Sequence, residues 1–402
     1  MAGVSSKRPH ILVVGAGIGG LTAAIALLKK GFDVDVYERA HELTEVGAGL
    51  HLSPNGTKTL YHLGLKDALD RVAVNQTDRE VALWNTGQAW KIANHGTTAA
   101  SRFGAPYLLM HRGDLHALLV QGVRDLKRDA IHVNAKCTGI EQDGAGVTIT
   151  FENGEKVRGD ALVGADGFHS AARHKLFGQD NPRFTGYIAW RGLIPIDRVP
   201  QGIARYSAAW MGPAGQITLY PVHRGELLNF VGIALRDDWR VESWTVAGSR
   251  DECADDFKGW HPAILELIRN IDTPYKWGLF SRDPIPGWSR DRITLLGDAC
   301  HSMLPFLGQG ANIAVEDGFV LARCLEASPD DIPAAFARYE AARRPRATRV
   351  VLETLEQWKK VRHPDIGDLE KAPGYVEREW SPEKMKGRYD WIFEYDVATT
   401  PI

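Results

Sequence analysis

The 402-residue sequence has few cysteines, no excess of one charge and no long apolar run. Its four cysteines, Cys137, Cys253, Cys300 and Cys324, are far apart and form no CxxC pair, so we predict no metal site and no disulfide framework. Its 48 basic and 50 acidic residues provide no concentrated basic face for nucleic acid. No apolar stretch reaches the ~20 residues of a membrane span. These absences predict a cytoplasmic protein that binds neither nucleic acid nor membrane.

The amino-terminal segment also lacks the features of a targeting peptide. MAGVSSKRPH leads into a short apolar run that Gly15 interrupts, unlike a signal peptide with its cleavage site. We find no internal repeat, low-complexity segment or long linker in the sequence. The chain is longer than one typical domain, so we expect about two domains that share a large core.

The first informative motif lies near the amino terminus. The β-branched run ILVV at 11–14 predicts a buried strand, and it leads directly into Gly15, Gly17 and Gly20 in the order G-x-G-x-x-G. A helical stretch follows, and then a second alternating strand, FDVDVYE, which ends in Glu38. Glycines at these positions permit a tight turn, close approach to a pyrophosphate and close helix packing, and the terminal acid suits a ribose hydroxyl.

A glycine-rich turn can also join a strand to a helix without binding anything. The complete order of strand, glycine loop, helix, second strand and acid favours the binding of an ADP-containing dinucleotide. The motif does not distinguish NAD from FAD, because both present the same ADP half to this loop.

The middle of the chain adds a helix, a hairpin and an inserted sheet. HRGDLHALLVQGVRDL at 111–126 predicts an amphipathic helix with Arg112 at its start. A predicted hairpin with a turn at Asn153-Gly154 precedes the apolar strand ALVGA, which ends at Asp166, where α/β proteins place ligands. Aromatic-rich, strand-like segments from about 183 to 290 predict a mixed sheet, one wall of a cavity for a flat ligand.

A second strand-loop-helix follows in RITLLGDACH and LGQGANIAVEDGFVLARCL. Asp298 can accept hydrogen bonds from ligand hydroxyls. Gly308, Gly310 and the amides of Ala311 and Asn312 offer donors at a helix start, where partial positive charge favours an anion or an electron-rich ring edge. We therefore expect each glycine loop to hold one end of an extended ligand.

Three of these motifs together resemble the fingerprints of the single-component FAD-dependent aromatic hydroxylases. They are G-x-G-x-x-G with Glu38, GADGFHS with Asp166, Ser170 and Arg173, and LGDACHSMLPFLGQGANIAVED. EVGAGLHLSPN, MHRGDLHALL, RRPRA and RYDWIFEYD are most similar to the branch with salicylate hydroxylase, 3-hydroxybenzoate 6-hydroxylase and 6-hydroxynicotinate 3-monooxygenase.

The resemblance implies an α/β fold of three parts. A Rossmann-like FAD-binding domain of the glutathione-reductase type spans 1–182 and 283–360, and it contributes residues near 70–110 to the substrate domain. A mixed β-sheet substrate domain is inserted at 183–282, and a helical carboxyl-terminal tail covers 361–402. The resemblance also implies a homodimer.

The family's cofactor is FAD, with NADH or NADPH as co-substrate and O₂ as oxidant. The first loop and Glu38 would bind the ADP half, Arg112 the middle and Asp298 the ribityl or pyrophosphate region, while the 47–49 turn would border the isoalloxazine. Asp166-Gly167 would serve both FAD and the nicotinamide nucleotide. The cofactor-binding candidates are Gly15, Gly17, Gly20, Glu38, Arg39, Gly49, Arg112, Asp166, Asp298, Gly310, Ala311 and Asn312.

The family's chemistry implies that a flavin C4a-hydroperoxide hydroxylates an electron-rich aromatic ring whose hydroxyl has lost its proton to a general base. His51 occupies a position where hydroxynicotinate-type enzymes also carry histidine, and Tyr220 matches a pocket tyrosine of that group. Gln216 stands where some relatives have a catalytic histidine, and an amide cannot serve as a base at neutral pH. The catalytic candidates are thus His51, Tyr220 and Gln216.

The substrate pocket departs from two of the relatives. Phe306, next to Pro305, replaces a histidine of the hydroxynicotinate enzymes. With Gln216 it weighs against 6-hydroxynicotinate and 3-hydroxybenzoate and favours a small, salicylate-like phenolic acid. Arg191 or His301 could pair with a substrate carboxylate. A larger fused-ring substrate, a flavin or NAD dehydrogenase that does not use oxygen, and a carrier without catalysis remain alternatives.

Overall fold

The computed structural model describes residues 8–43, 48–93, 95–213, 215–239 and 246–402. Its strands are β1 His10–Val14, β2 Asp33–Tyr37, β3 Gly49–Leu52, β4 Val74–Asn75, β5 Arg79–Leu83, β6 Ala89–Ala93, β7 Leu108–His111, β8 Ile131–His132, β9 Cys137–Gln142, β10 Val147–Phe151, β11 Lys156–Gly159, β12 Ala161–Gly164, β13 Arg183–Pro195, β14 Ser207–Gly212, β15 Gly215–Val222, β16 Leu227–Leu235, β17 Val246–Ala247, β18 Tyr275–Ser281, β19 Ser289–Arg290 and β20 Ile293–Leu295.

Its helices are α1 Ile18–Lys29, α2 Pro54–His62, α3 Lys66–Val72, α4 His95–Phe103, α5 Arg112–Leu126, α6 Ala171–Phe177, α7 Arg250–Asp256, α8 Pro262–Arg269, α9 Asp298–His301, α10 Gly310–Ala327, α11 Ile332–Val361, α12 Ala372–Glu379 and α13 Pro382–Phe393. Within the described ranges, no helix has both the length and the apolar character needed to cross a membrane.

The first large sheet is a Rossmann-like sheet in the order β19-β20-β12-β1-β2-β8. All its pairs are parallel except β19 with β20. Strands β1 and β12 consist almost entirely of buried apolar residues, as expected for parallel strands covered on both faces. Because β20, β12, β1 and β2 are neighbours, four motifs that are distant in sequence end side by side at one edge. The predicted α/β fold is confirmed.

The second large sheet has the order β17-β18-β13-β16-β15-β14-β5-β6. It is mixed, because β14 pairs with β5 in parallel while the other pairs are antiparallel. Strands β5 and β6 come from outside the predicted insertion at 183–282. The insertion also contains α7 and α8, which the strand-like pattern had not indicated. Helix α8 buries Ile264, Leu267 and Ile268 in the cluster that covers one face of this sheet.

The carboxyl-terminal tail is helical, as predicted, and packs on the body of the same chain. Phe393 of α13 stacks edge to face on Phe103, with ring centroids 5.5 Å apart. Arg102 pairs with Asp390 at 2.7 Å. Tyr375 and other apolar residues of the tail join the cluster on the second face of the mixed sheet. This cluster also contains Tyr220, so the tail supports the wall on which the substrate candidates lie.

Candidate active site

The first glycine loop follows β1, and its three glycines have different surroundings. Gly15 has a φ of +106°, and a Cβ there would lie 2.3 Å from the carbonyl oxygen of Ala165. A Cβ at Gly20 would lie 2.0 Å from the carbonyl oxygen of Gly15, whereas one at Gly17 would meet nothing within 4 Å. Gly15 and Gly20 are therefore required by the close packing of the backbone around them. Gly17 has no such neighbour and leaves an open backbone surface at the start of α1.

Glu38, directly after β2, holds the backbone of this loop. One carboxylate oxygen accepts from the amide of Ala16 and the other from that of Ala40, both at 2.9 Å. Each carboxylate oxygen has a second lone pair, so Glu38 can still accept from ribose hydroxyls. Arg39 is exposed beside it.

Asp166, at the end of β12, caps α6. Its Oδ2 accepts from the amides of Ala171 and Ala172 at 2.7 and 3.2 Å. Its Oδ1 is buried and has no hydrogen-bond partner in the part of the chain that the structure describes. Ser170 accepts from the amide of Arg173 at 2.9 Å. An unsatisfied buried carboxylate oxygen at a ligand-binding sheet edge suits a hydroxyl-bearing cofactor.

Several basic side chains lie near His169, close to this edge. Partial burial, together with the charges of Arg282, Arg39, Arg173 and His174, lowers the pKa of His169. These groups come from three separate segments of the chain, and Asp180 pairs with two of them, Arg173 and Arg282. The exposed Arg39 can contact a nucleotide phosphate.

The second glycine loop begins with Asp298, an exposed residue after β20. At the start of α10, the amide of Ile313 donates to the carbonyl of Gln309 at 2.9 Å. The amides of Ala311 and Asn312 come before this hydrogen bond, in the first turn of the helix. These amides can donate to a ligand at the helix start. Gly310 is the first residue of α10, as the sequence pattern predicted.

The side chain of Asn312 ties the two parts of the site together. Its Oδ1 accepts from the amide of Ser53 at 3.0 Å, and its Nδ2 donates to the carbonyls of His51 and Gly308, each at 2.9 Å. Asn312 is fully buried. Its side chain therefore fixes β3 against the second glycine loop, and only its backbone amide is available at the helix start.

A buried charge network supports the second loop from behind. Arg343 pairs with Glu316 at 2.7 Å and with Asp317 at 2.8 Å, and all three side chains are fully buried. His301 Nε2 lies 2.5 Å from Asp317 Oδ2. Although burial opposes it, the charges of His301 and Arg343 lower the pKa of Asp317. His301 is thus held by this network, and we assign it no contact with a substrate carboxylate.

His51 and Tyr220 meet next to Gly49, although they are far apart in sequence. Their ring centroids are 4.2 Å apart, with an interplanar angle of 63°. A Cβ at Gly49 would lie 2.5 Å from Cε2 of Tyr220, and the amide of Gly49 donates to Asn229 Oδ1 at 2.7 Å. Gly47, the first residue of the predicted 47–49 turn, lies outside the described residues. Arg112 begins α5 and donates its amide to the carbonyl of Ala48 at 2.8 Å.

Tyr107 and Asn229 belong to this cluster and were not predicted. The hydroxyl of Tyr107 lies 3.0 Å from Nδ1 of His51. Burial raises the pKa of both Tyr107 and Tyr220, so both phenols stay protonated. Asn229 is fully buried, and its Nδ2 has no partner among the described residues. Tyr107 directly precedes β7 and Asn229 lies on β16, neither within a motif, and no sequence signal distinguishes them from packing residues.

The remaining pocket candidates extend along the same face of the mixed sheet. Gln216 is four residues before Tyr220 on β15, so both side chains project from one face, and their Cα atoms are about 13 Å apart along the strand. Pro305 is exposed at the start of a short 3₁₀ turn, and Phe306 behind it is buried. Arg191 places its guanidinium 3.7 Å from the ring centroid of Trp277. Its charge partly opposes the effect of burial on the pKa of Tyr220.

Comparison with known proteins identifies the family of this chain. A model of the FAD binding domain family matches residues 8–354. 3-Amino-4-hydroxybenzoate 2-monooxygenase PtnB3 of Streptomyces platensis is 37% identical over 399 residues, 99% of each chain. 6-Hydroxynicotinate 3-monooxygenase of Pseudomonas fluorescens is 38% identical over 349 residues, 86% of this chain and 90% of the relative. The structure of Klebsiella pneumoniae HpxO with FAD and uric acid is 28% identical, with a TM-score of 0.83, and covers 98% of this chain and 97% of that chain.

The chain belongs to the FAD-binding-domain family of flavoproteins. Within this family it is an aromatic monooxygenase, as its three fingerprints predicted. Its residues fit FAD, because the first loop has an open backbone at Gly17 and the adjacent sheet edge has an unsatisfied buried oxygen on Asp166.

Proposed function

We propose that the protein uses FAD, NADH or NADPH, and O₂ to hydroxylate a small hydroxybenzoate, either salicylate-like or amino-substituted. The observation that supports this most directly is the contact of His51 with Tyr107 and Tyr220 beside Gly49, between the second glycine loop and the mixed sheet. A histidine there, between two protonated phenols, suits a substrate with a ring hydroxyl. Relatives named for 3-amino-4-hydroxybenzoate and 6-hydroxynicotinate also support a hydroxylated aromatic acid.

We assign FAD to the edge where β20, β12, β1 and β2 end. The backbone at Gly17 and the carboxylate of Glu38 would hold its ADP half, and Asp166 and Asp298 would accept from its hydroxyls. The amides of Ala311 and Asn312 would donate to its ring system. When bound and reduced by a nicotinamide nucleotide, FAD supplies the activation of oxygen. The exposed Arg39, next to Glu38, would attract the phosphates of that nucleotide.

His51 is the proposed general base. With the hydrogen of the neutral ring on Nδ1, donated to the oxygen of Tyr107, Nε2 is the basic nitrogen and would take the proton of a substrate hydroxyl. The resulting phenolate carries more electron density on its ring, which promotes attack on an electrophilic oxygen. Tyr220 stays protonated, so its hydroxyl can hydrogen-bond to the substrate. Arg191 supports this wall through Trp277.

The first test measures NADH and NADPH oxidation by the FAD-loaded enzyme with a panel of hydroxylated benzoates and pyridines, and quantifies hydroxylated product against nucleotide consumed. We expect a hydroxybenzoate to stimulate oxidation and to yield nearly one product per nucleotide. Oxygen uptake is recorded in parallel. Nucleotide oxidation without oxygen uptake would instead support a dehydrogenase, and lack of any turnover by a protein that retains FAD would support a carrier.

We also propose that the enzyme is a cytoplasmic homodimer. Its four cysteines form no disulfide with one another, and three of them are buried, as suits a reducing compartment. Light scattering during size exclusion tests the dimer. A mass equal to one chain at micromolar concentration would contradict it.

A further inference from the structure

Three buried side chains, Ser53, Asn55 and Gln309, form a closed cycle of hydrogen bonds between the end of β3 and the second glycine loop. Oγ of Ser53 donates to Oδ1 of Asn55 at 2.7 Å, and Nδ2 of Asn55 donates to Oε1 of Gln309 at 3.2 Å. Nε2 of Gln309 closes the cycle by donating to Oγ of Ser53 at 3.0 Å. Each of the three residues is at most 1% exposed. The cycle therefore joins Asn55 to a loop that lies 254 residues later in the chain.

The cycle takes up the side chains at the start of two helices. Ser53 immediately precedes α2, and Gln309 immediately precedes α10. A polar side chain at such a position commonly accepts from an amide in the first turn of its own helix. Within the part of the chain that the structure describes, neither side chain forms such a bond. The side chain of Gln309 thus leaves the first-turn amides of Ala311 and Asn312 to a ligand.

Glu316 fixes the direction of the cycle. Its Oε1 accepts from Nδ2 of Asn55 at 2.7 Å, and the residue is fully buried. Although burial opposes it, the charges of Arg346 and Arg343 lower the pKa of Glu316. An ionised carboxylate can only accept, so the amide of Asn55 must turn its nitrogen towards Glu316 and its oxygen towards Ser53. The opposite orientation would bring two oxygen atoms into contact.

Arg346 holds Glu316 in place from the side of the carboxyl-terminal tail. Its Nε and Nη2 donate to the two carboxylate oxygens of Glu316 at 2.8 and 2.9 Å. Nη2 also donates to the carbonyl of Ile392, in the last turn of α13, at 2.9 Å. A cation at this end of a helix complements the partial negative charge of its carbonyls. Glu316 is thus fixed by Arg346 and Arg343 together and cannot turn away from Asn55.

We propose that Asn55 is a positioning residue for the ring system of FAD and that Glu316 orients it. By fixing Gln309, Asn55 determines where α10 begins and how the amides of Ala311 and Asn312 are directed. Donors that are already ordered bind a ligand more tightly than donors that must be ordered on binding. The inference rests on the placement of FAD proposed above and concerns only its ring end, because the ADP half is assigned to the first glycine loop.

The test compares the binding of FAD with that of ADP, which carries only the half assigned to the first loop. Both are titrated into the full-length, FAD-free protein, FAD by flavin fluorescence and ADP by calorimetry. Asn55→Leu removes the central amide of the cycle and should weaken FAD about tenfold but leave ADP unchanged. Ser53→Ala removes one hydroxyl and should weaken FAD about threefold, again with ADP unchanged. Normal ADP binding also shows that each variant is folded.

A second readout is the reduction potential of the bound FAD. Backbone amides at a helix start favour the more electron-rich, reduced form of a ring system beside them. Asn55→Leu should therefore shift the potential to a more negative value, which an effect on overall stability would not do. The matched control is Gln76→Met. Gln76 is a buried amide, 1% exposed, and neither polar atom of its side chain has a partner among the described residues. The control should change neither the ratio of the two affinities nor the potential.

Three outcomes would overturn the inference. Equal weakening of FAD and ADP in both Asn55→Leu and Ser53→Ala would show a general effect on the fold and no specific effect on the ring end. Unchanged FAD affinity and potential in both variants would show that the second loop keeps its position without the cycle. Failure of the wild-type protein to bind FAD would refute the proposed function and this inference with it.

Discussion

The cofactor edge and the substrate wall are built in different ways. At the edge of the parallel sheet, the candidate contacts are backbone amides, glycines and carboxylates that directly follow β1, β2, β12 and β20. On the wall, they are side chains from β3, the segment before β7 and the mixed sheet. Backbone groups and acids that directly follow a strand can be specified by spacing along the chain. Side chains on the wall depend on how elements distant in sequence pack against one another.

The substitution with the largest expected effect disrupts the first glycine loop at the cofactor edge. Gly15→Ala would place a Cβ 2.3 Å from the carbonyl oxygen of Ala165 at a φ of +106°, so the loop must move. We expect loss of FAD binding by at least about 100-fold, measured by flavin fluorescence after dialysis. The control is Gly154→Ala in the hairpin turn, where φ is +86° but no atom lies within 4 Å of the new Cβ. FAD binding unchanged in both variants would contradict the assignment.

The next change acts on the substrate wall and leaves the cofactor edge intact. His51→Gln removes the proposed base, so kcat should fall about 10²- to 10⁴-fold. FAD content and the substrate Kd should change little. A loss of FAD equal to the loss of kcat would show that His51 supports the cofactor instead. The substrate wall and the cofactor edge would then not be separate at this residue.

The third prediction concerns the buried charges behind the second glycine loop, which lies between the two regions. Arg343→Met leaves Glu316 and Asp317 without their shared cation, and we expect a loss of about 3–5 kcal/mol in the free energy of unfolding. Arg344→Met is the control, because Arg344 is 41% exposed and forms a surface pair with Glu340. Denaturant unfolding of the FAD-free and FAD-loaded forms measures both variants, and equal stability of the two variants would contradict this prediction.

The same network predicts how stability depends on pH. Because the pKa of Asp317 is lower in the folded protein than in the unfolded chain, its ionised form stabilises the fold above its unfolded pKa of about 3.9. This contribution is lost as pH falls below about 4. Thermal unfolding from pH 7 to pH 3 should show that Asp317→Asn is less stable than wild type at pH 7 and that the difference shrinks in acid. If the difference in stability between Asp317→Asn and wild type grew in acid, the pKa of Asp317 would not be lowered in the folded protein.

The substitution with the smallest expected effect separates the role of Tyr107 from that of His51 on the substrate wall. Tyr107→Phe removes the hydroxyl that lies 3.0 Å from Nδ1 of His51. We expect kcat to fall about tenfold with KM nearly unchanged, and the acidic limb of the kcat profile to move to lower pH, because the imidazolium loses an acceptor. Tyr61→Phe, which removes a surface hydroxyl bonded to Asp70, is the control. An unchanged pH profile would limit Tyr107 to packing.

The sequence alone determined the cofactor edge. The sequence shows this motif, Gly15, Gly17, Gly20 and Glu38, because close approach of the backbone to a pyrophosphate requires specific residue types at specific spacings. A different pattern, an apolar strand that ends at an acid or leads into a glycine loop and a helix, predicted Asp166, Asp298 and the start of α10. Only the tertiary structure decided which residues form the wall. Tyr107 and Asn229 follow no local pattern, since a loop or strand side chain becomes part of a pocket only through the elements that pack opposite it. Tertiary packing likewise turned the side chain of Asn312 and the ring of His301 inward, because buried polar groups must find partners within the fold.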